Sequence, residues 1–425
     1  MLKGQFPVEK FASLRTPFYY YDLPLLRRTL DKIRECIEPY PQFHVHYAVK
    51  ANFNGKILQE ISRCGFGADC VSGGEIRAAL QNGFAPESIV YAGVGKSDEE
   101  ILLALDAGIA RFNVESAAEL EVINELALSR GVVAPVSLRV NPDIGAHTHA
   151  NITTGLAENK FGINYEQLPG VIELADSLPG VEYKGLHFHI GSQILEMDDF
   201  VALCNRINVL AEQILRQRRG RLVPAASGAA AVGYSSSAVG AAGVAGSGVA
   251  AGVAGAAASV LGDINVGGGL GINYYHPNHL DVAEFSQYFE TFARHLKLPE
   301  GTPVHFELGR SVVAPCGSLI SRVLYIKEGT TRRFAIIDAS MTELIRPALY
   351  KAYHRVENIS SYEPEEVYDV VGPVCESSDV FAKGVSIDKC HRGDFIAIRS
   401  AGAYGESMSS QYNCRPLPAC FFKED

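Results

Sequence analysis

His46-Tyr47-Ala48-Val49-Lys50-Ala51-Asn52 is an apolar, β-rich run that stops on an amine, with Gly55 just beyond it. It is the first of a series. Similar short runs recur at 44–49, 67–71, 88–91, 110–114, 135–140, 183–189, 263–266 and 303–306, and each but the last precedes a helix-compatible segment. Asp98-Glu99-Glu100-Ile101-Leu102-Leu103-Ala104-Leu105 and Ala117-Ala118-Glu119-Leu120-Glu121-Val122-Ile123 are two such segments. Their apolar residues recur at helical spacing behind acidic first turns, which suit the positive end of a helix dipole. Strands alternating with helices predict parallel βαβ units, and eight units predict an α/β fold closed into a TIM-like (β/α)8 barrel rather than an open sheet.

Beyond about residue 315 the texture changes. The stretches 318–326, 334–338, 367–371 and 394–398 read as strands separated by turn residues, which predicts a mainly β second domain, a sandwich or barrel. Pro17-Phe18-Tyr19-Tyr20-Tyr21-Asp22 is strand-like too and precedes the barrel, so it can join that later sheet. The expected division is a barrel domain over 26–315 and a β domain made of 1–25 with 316–425. Residues 224–260 are almost wholly Ala, Gly, Val and Ser, without charge or periodicity, and follow the basic Arg216-Gln217-Arg218-Arg219-Gly220-Arg221. A membrane span between two barrel strands would tear the barrel open, so this stretch is expected to be a flexible insertion in a surface loop.

Composition narrows the function. With 425 residues, 47% hydrophobic and 20% charged, the chain has material for two globular domains. A net charge of −10, with no basic tract long enough to follow a phosphate backbone, argues against a nucleic-acid partner and favours a small-molecule ligand. Nine scattered cysteines form no CxxC or zinc spacing, and Met-Leu-Lys-Gly-Gln-Phe has no apolar leader core, so a reduced, cytoplasmic chain without a membrane role is expected.

The ends of the barrel strands carry Lys50, Asp69, Lys96, Asn113 with Glu115, Arg139 with Asn141, His187 with His189, Gly267-Gly268-Gly269, and Glu307 with Arg310. In such barrels the active site is built at the C-terminal face from the ends of different strands. A glycine triplet after a late strand allows backbone N–H groups to close around a phosphate, although it also suits a plain tight turn; Ser192 and Gly309 would add donors. An amine, a phosphate cradle and a carboxylate on one mouth suggest pyridoxal 5'-phosphate, linked covalently to Lys50, with Glu307 on the pyridine nitrogen and His189 stacked on the ring. Alternation places His187 and His189 on one strand face, and no third metal ligand is recognisable near them.

Taken together, Tyr47-Ala48-Val49-Lys50-Ala51-Asn52, Gly67-Ala68-Asp69-Cys70-Val71-Ser72-Gly73-Gly74-Glu75, His187-Phe188-His189-Ile190-Gly191-Ser192-Gln193, Asn265-Val266-Gly267-Gly268-Gly269 and Cys375-Glu376-Ser377-Ser378-Asp379 resemble the diaminopimelate decarboxylases. That family lies within the alanine-racemase-like (fold type III) pyridoxal-phosphate enzymes, and the likeness covers nearly the whole chain except the insertion. It implies decarboxylation of meso-2,6-diaminopimelate to L-lysine and CO2, the last step of lysine biosynthesis, in a homodimer whose active sites are shared. It also implies roles for single residues. Lys50 is then the cofactor lysine and Asp69 and Arg139 support it and the ring, while Ser192, Gly267, Gly268, Gly269, Gly309, Arg310 and Tyr404 surround the cofactor. Arg310, Arg346, Tyr350, Glu376 and Tyr404 read the substrate, and Cys375 matches the proton donor. Here Glu307-Leu308-Gly309-Arg310 stands where the family often has Glu-Pro-Gly-Arg, which changes the turn's rigidity and none of the proposed ligands.

The arginines agree with such a substrate on physical grounds, because a molecule with an amino-acid group at both ends needs a cation for its distal carboxylate. Other readings on the same fold are a decarboxylase of ornithine, arginine or carboxynorspermidine, a racemase, which would need no Cys375-Glu376, and a non-catalytic cofactor carrier, which would lack the β domain.

Overall fold

The computed structural model describes residues 6–143, 160–222, 260–277 and 282–424. Apart from Val260, the Ala/Gly/Val/Ser stretch 224–260 lies outside the described residues. In chain order the strands are β1 (Phe18–Asp22), β2 (Phe43–Ala48), β3 (Gly67–Cys70), β4 (Ile89–Tyr91), β5 (Arg111–Val114), β6 (Ala134–Asn141), β7 (Ile163–Asn164), β8 (Val181–His187), β9 (Asp263–Asn265) and β10 (Val304–Leu308). They continue with β11 (Gly317–Glu328), β12 (Arg333–Ile337), β13 (Val356–Asn358), β14 (Glu365–Val371), β15 (Val380–Asp388), β16 (Phe395–Ile398) and β17 (Ala419–Lys423).

Strands β2, β3, β4, β5, β6, β8, β9 and β10 pair in parallel in that order, and β10 pairs back to β2, closing the barrel. The eight barrel strands are the eight expected from the sequence, within a residue or two at most ends. β7 is an addition, a two-residue strand beside β6. Three successive strand-to-helix turns end in Ser-x-x-Glu. The hydroxyls of Ser72, Ser97 and Ser116 each accept from the backbone N–H of the glutamate three residues on, Glu75, Glu100 and Glu119. The glutamates reach back to Val71 N–H (2.8 Å), Ser97 N–H (3.2 Å) and Glu115 N–H (2.7 Å). Each cap contributes about 1 kcal/mol and fixes where the preceding strand stops. On the outer side, the helix Val282–His295 packs Phe289 and Phe292 against Phe306 of β10, with ring centroids 5.0 and 5.2 Å apart.

The second sheet has the order β13-β16-β11-β12-β14-β15. β1 inserts beside β11, antiparallel with Phe18 opposite Ile320, and on its other side takes β17 in parallel, with Phe18 opposite Ala419. The amino-terminal segment thus belongs to the later sheet, as expected. β13, β15 and β17 were not legible as strands: β13 is three residues long, β15 contains Lys383-Gly384, and β17 is half exposed.

Barrel and sheet meet at the turn that follows β2. The Asn52 side chain, 1% exposed, donates to the Tyr21 hydroxyl (2.8 Å) and to the Gly402 carbonyl (2.9 Å), while Tyr47 donates to the Asn52 carbonyl (2.9 Å) and Tyr404 N–H to the Ala51 carbonyl (2.8 Å). Replacing Asn52 by Ala leaves two buried acceptors without their donor and should cost about 2–4 kcal/mol. A urea unfolding midpoint for Asn52→Ala that matches the parent's would show the tie to be unimportant.

Candidate active site

Lys50 does not end the strand itself. It sits in a single 3-10 turn, Val49–Ala51, immediately after β2, and the turn carries its amine over the end of β3. There Asp69, paired in register with Ala48, places its carboxylate 3.7 Å from the Lys50 Nζ. The lysine side chain is 41% exposed and the aspartate side chain 1%, so the amine faces open space with a buried anion behind it. Burial opposes the charge on Lys50, but Asp69, then Tyr404 and Glu307, outweigh it and hold the ammonium above its ordinary range. Burial and the Glu307 carboxylate push the Asp69 carboxyl up, and Lys50 pulls it back.

Glu307, on β10, has its carboxylate fixed on both oxygens. Oε1 accepts from Asn113 (3.2 Å) and Asn265 (2.8 Å), and Oε2 lies 3.1 Å from His187 Nε2. Burial alone would raise its pKa, yet His187 and Lys50 keep it ionised well below the usual carboxylate range. His187 is the last residue of β8 and serves this carboxylate. His189 lies beyond the strand end, so the expectation that alternation sets both on one strand face is corrected: the chain has already left the sheet. The His189 Nδ1 accepts from Gly268 N–H (3.3 Å), and burial, followed by the charges of Lys50 and Arg139, lowers its pKa well below the ordinary value. A neutral imidazole results, suited to stacking on an aromatic ring.

The glycines work through their backbone. Gly267 and Gly269 have φ of 73° and 114°, and a Cβ on Gly268 would stand 1.9 Å from the Glu307 carbonyl oxygen. The triplet therefore threads between His189 and β10, where any side chain would collide. A Cβ on Gly309 would meet Ala48 and Ala51 at 3.1 Å, so this glycine lets the turn after β10 close on the Lys50 turn. Arg139 is paired with Glu115 at 2.5 Å and lies over the Phe161 ring, 4.7 Å from its centroid. Lys96, the other lysine among the strand ends, has a 1% exposed side chain and donates to Glu119 (2.5 Å) and to the carbonyls of Gly93 (2.8 Å) and Asn113 (2.9 Å). It braces the barrel.

A cavity of about 1050 Å³ is lined by Lys50, Asp69, Arg139, His189, Ser192, Glu307, Arg310, Arg346, Tyr350 and Tyr404, all expected from the sequence, and also by His187, Tyr274 and Tyr353. Gly267, Gly268, Gly269 and Gly309 lie behind this lining. Arg310 donates to the Ser192 hydroxyl (2.9 Å) and lies over the Tyr404 ring at 5.0 Å. Arg310 and Arg346 both donate to the Tyr274 hydroxyl, at 2.8 and 2.9 Å. Tyr274 carried no signal in the sequence, since it follows the glycines in a loop; Asn113, Asn265 and His187 could have been read as a set, because all end barrel strands.

Cys375 and Glu376 stand apart. They lie in the loop between β14 and β15, both exposed and neither among the residues lining the cavity of the same chain. The loop is shaped by buried Asp379, which accepts from the N–H groups of Met341 (2.7 Å) and Val374 (2.8 Å), while Glu376 accepts from the Tyr412 hydroxyl (2.7 Å). Among the described residues no group of three His, Cys, Asp or Glu side chains could hold a metal ion.

The cavity suits pyridoxal phosphate: it offers a reachable amine against an anion without hydrogen-bond donors of its own, a fixed ionised carboxylate, a neutral imidazole, and Ser192 with Arg310 for an anionic group. Residues 26–218 match the family model described as the pyridoxal binding domain of pyridoxal-dependent decarboxylases. Barrel, cavity and this match define the class, a pyridoxal-dependent decarboxylase. The chain is 54% identical over 424 residues to the diaminopimelate decarboxylase of Bacteroides thetaiotaomicron, covering 100% of each. It is 37% identical over 410 residues to that of Helicobacter pylori, covering 96% of this chain and 90% of the relative. The crystal structure of the Helicobacter pylori enzyme complexed with L-lysine matches with a TM-score of 0.81 at 35% identity, covering 98% of this chain and 94% of that one. The chain belongs to the diaminopimelate decarboxylase family and is a carboxy-lyase.

Because Lys50 alone of the two strand-end lysines has an amine open to the cavity, borohydride reduction of the cofactor-loaded protein should leave the pyridoxyl group on Lys50. Peptide mapping that found it on Lys96 would overturn the assignment.

Proposed function

We propose that the chain removes one carboxylate of meso-2,6-diaminopimelate and releases CO2 and L-lysine, and that the residues named above carry out the reaction. The observation that carries this reading is the convergence of two buried guanidiniums, Arg310 and Arg346, in the cavity that also holds Lys50. A substrate whose far end is a bare amine would leave both buried cations without an anionic partner and would add a third positive charge beside them. The distal carboxylate of diaminopimelate supplies that partner, with Tyr350 and Tyr404 beside it.

When bound, pyridoxal phosphate supplies the electron sink for the carbon that loses CO2. Lys50 would hold the cofactor through its amine, with Asp69 as the charge partner behind that amine. Glu307, kept ionised by His187 and Lys50 and hydrogen-bonded by Asn113 and Asn265, would hold a proton on the cofactor's ring nitrogen. His189 would cover the ring, and Gly267, Gly268, Gly269, Gly309, Ser192 and Arg310 would hold the phosphate. Cys375 delivers the proton that replaces the lost carboxylate, and Glu376 takes the distal ammonium.

Those last two roles need a second chain. In this reading the loop of Cys375 and Glu376 reaches the partner's cavity in a homodimer, two identical sites arising from one self-complementary contact. Their exposure, and their absence from the cavity of their own chain, support it. The cofactor is carried by a domain spanning 26–315, completed by a β domain of 1–25 with 316–425. Nine free cysteines support a reducing, cytoplasmic setting, and among the described residues no helix is long and apolar enough to cross a membrane.

Purified protein with pyridoxal phosphate should convert meso-diaminopimelate to equal amounts of L-lysine and CO2 and leave ornithine intact. Arg346→Ala should weaken substrate binding by about 2–5 kcal/mol, read as a raised KM; efficient ornithine decarboxylation by the parent would sink this account of specificity. For the shared site, Lys50→Ala and Cys375→Ala chains, nearly inactive alone, should on mixing recover up to about a quarter of parent activity, since random exchange makes half the dimers mixed, each with one intact site of two. No recovery despite demonstrated exchange would mean that each chain completes its own site.

A further inference from the structure

Two guanidiniums pointed at one place repel each other, so a carboxylate-reading pair needs something to hold it converged before the substrate arrives. Each arginine here is braced from behind. Arg310 is held by Ser192 at 2.9 Å. Arg346 donates to His354 Nε2 (2.8 Å), whose Nδ1–H is in turn fixed on the Arg399 carbonyl (2.9 Å). Burial and then Arg346 push the His354 pKa down to about 3, so it remains a neutral acceptor. In front, the two guanidiniums meet on a single atom, the Tyr274 phenol oxygen, at 2.8 and 2.9 Å.

Tyr274 is 8% exposed, lines the cavity, and packs its ring edge-on against His354 with centroids 5.1 Å apart. Burial would raise the phenol's pKa, yet the two guanidiniums override burial and lower it below the ordinary value. The oxygen therefore carries much of the partner's role that a carboxylate would play. The Arg346 Nε is buried and without a hydrogen-bond partner among the described residues.

We propose that Tyr274 is a positioning residue for the substrate's distal carboxylate: its hydroxyl holds Arg310 and Arg346 converged on one point, so that selection for a carboxylated far end depends on it. This rests on the reading of diaminopimelate as substrate. The phenol is a hydrogen-bond donor as well as an acceptor, so it can turn its O–H to the incoming carboxylate while the guanidiniums take the carboxylate oxygens. Nothing else in the lining bridges the two arginines among the described residues.

Tyr274→Phe tests this with little change of volume. L-lysine carries the distal carboxylate and 1,5-diaminopentane lacks it, and binding of each to the cofactor-loaded dimer can be followed by visible absorption of the cofactor. Tyr274→Phe should weaken L-lysine and raise KM for diaminopimelate by about tenfold or more, with the loss falling mainly on KM rather than kcat, while 1,5-diaminopentane binds as it does to the parent. Unchanged L-lysine affinity and KM would overturn the assignment, as would an equal loss for both ligands, which marks mere loosening of the cavity. Parent enzyme that binds L-lysine no better than 1,5-diaminopentane would instead overturn the substrate reading, and the role of Tyr274 with it.

Discussion

The side-chain amide of Asn52 is the joint on which the site depends. It is buried and donates at once to a tyrosine of the amino-terminal strand and to a backbone carbonyl of the second domain. Its own backbone closes the turn that holds Lys50. One polar group thus registers three parts of the chain that are remote in sequence: the end of β2, β1, and the turn at 402–405. A buried amide is costly unless every donor is used, and here both geometry and burial leave little freedom for the lysine to drift from Asp69. Tyr404, whose N–H closes onto Ala51, is placed against Arg310 by the same joint.

The cavity separates charge by origin. Barrel strands supply the anions: Asp69 on β3 and Glu307 on β10, the first beside the lysine and the second tied by three strand-end donors. The cations on the far side come from the segments that leave the barrel, Arg310 just after β10 and Arg346 on the short helix Arg346–Tyr350. A neutral His189 lies in the electropositive influence of Lys50 and Arg139 without adding charge. Such a division suits a molecule with an amino-acid group at each end. In the proposed reaction the reacting amine would meet an anion-backed lysine, and the far carboxylate the two arginines.

Much of this was legible in the chain. The short β-rich runs, separated by segments with helical spacing, are a local property, and the eight barrel strands fall where the runs do. Glycines at 267–269 also announce themselves, because glycine is needed wherever backbone must pass with no room for a Cβ, whereas Lys50 stands out only in company with the other polar strand ends, since Lys96 at a neighbouring strand end is a buried brace. β13, β15 and β17 were missed because short or half-exposed edge strands take their conformation from their neighbours rather than from their own side chains.

What the sequence determined by itself was the barrel, the attachment of the first strand to the last sheet, and the set of side chains able to bind an aldehyde, a phosphate and a carboxylate. Tertiary structure alone decided their partnerships: that His187 serves Glu307 while His189 faces the cavity, that Lys96 is spent on Glu119, that Cys375 stands outside its own chain's cavity, and that Tyr274 joins two arginines. Periodicity along a chain sets which face a residue shares with its near neighbours. It carries no information on which residue hundreds of positions away ends a neighbouring strand, and hydrogen-bond partnership is decided there, by the register of closed strands and the docking of one domain on another.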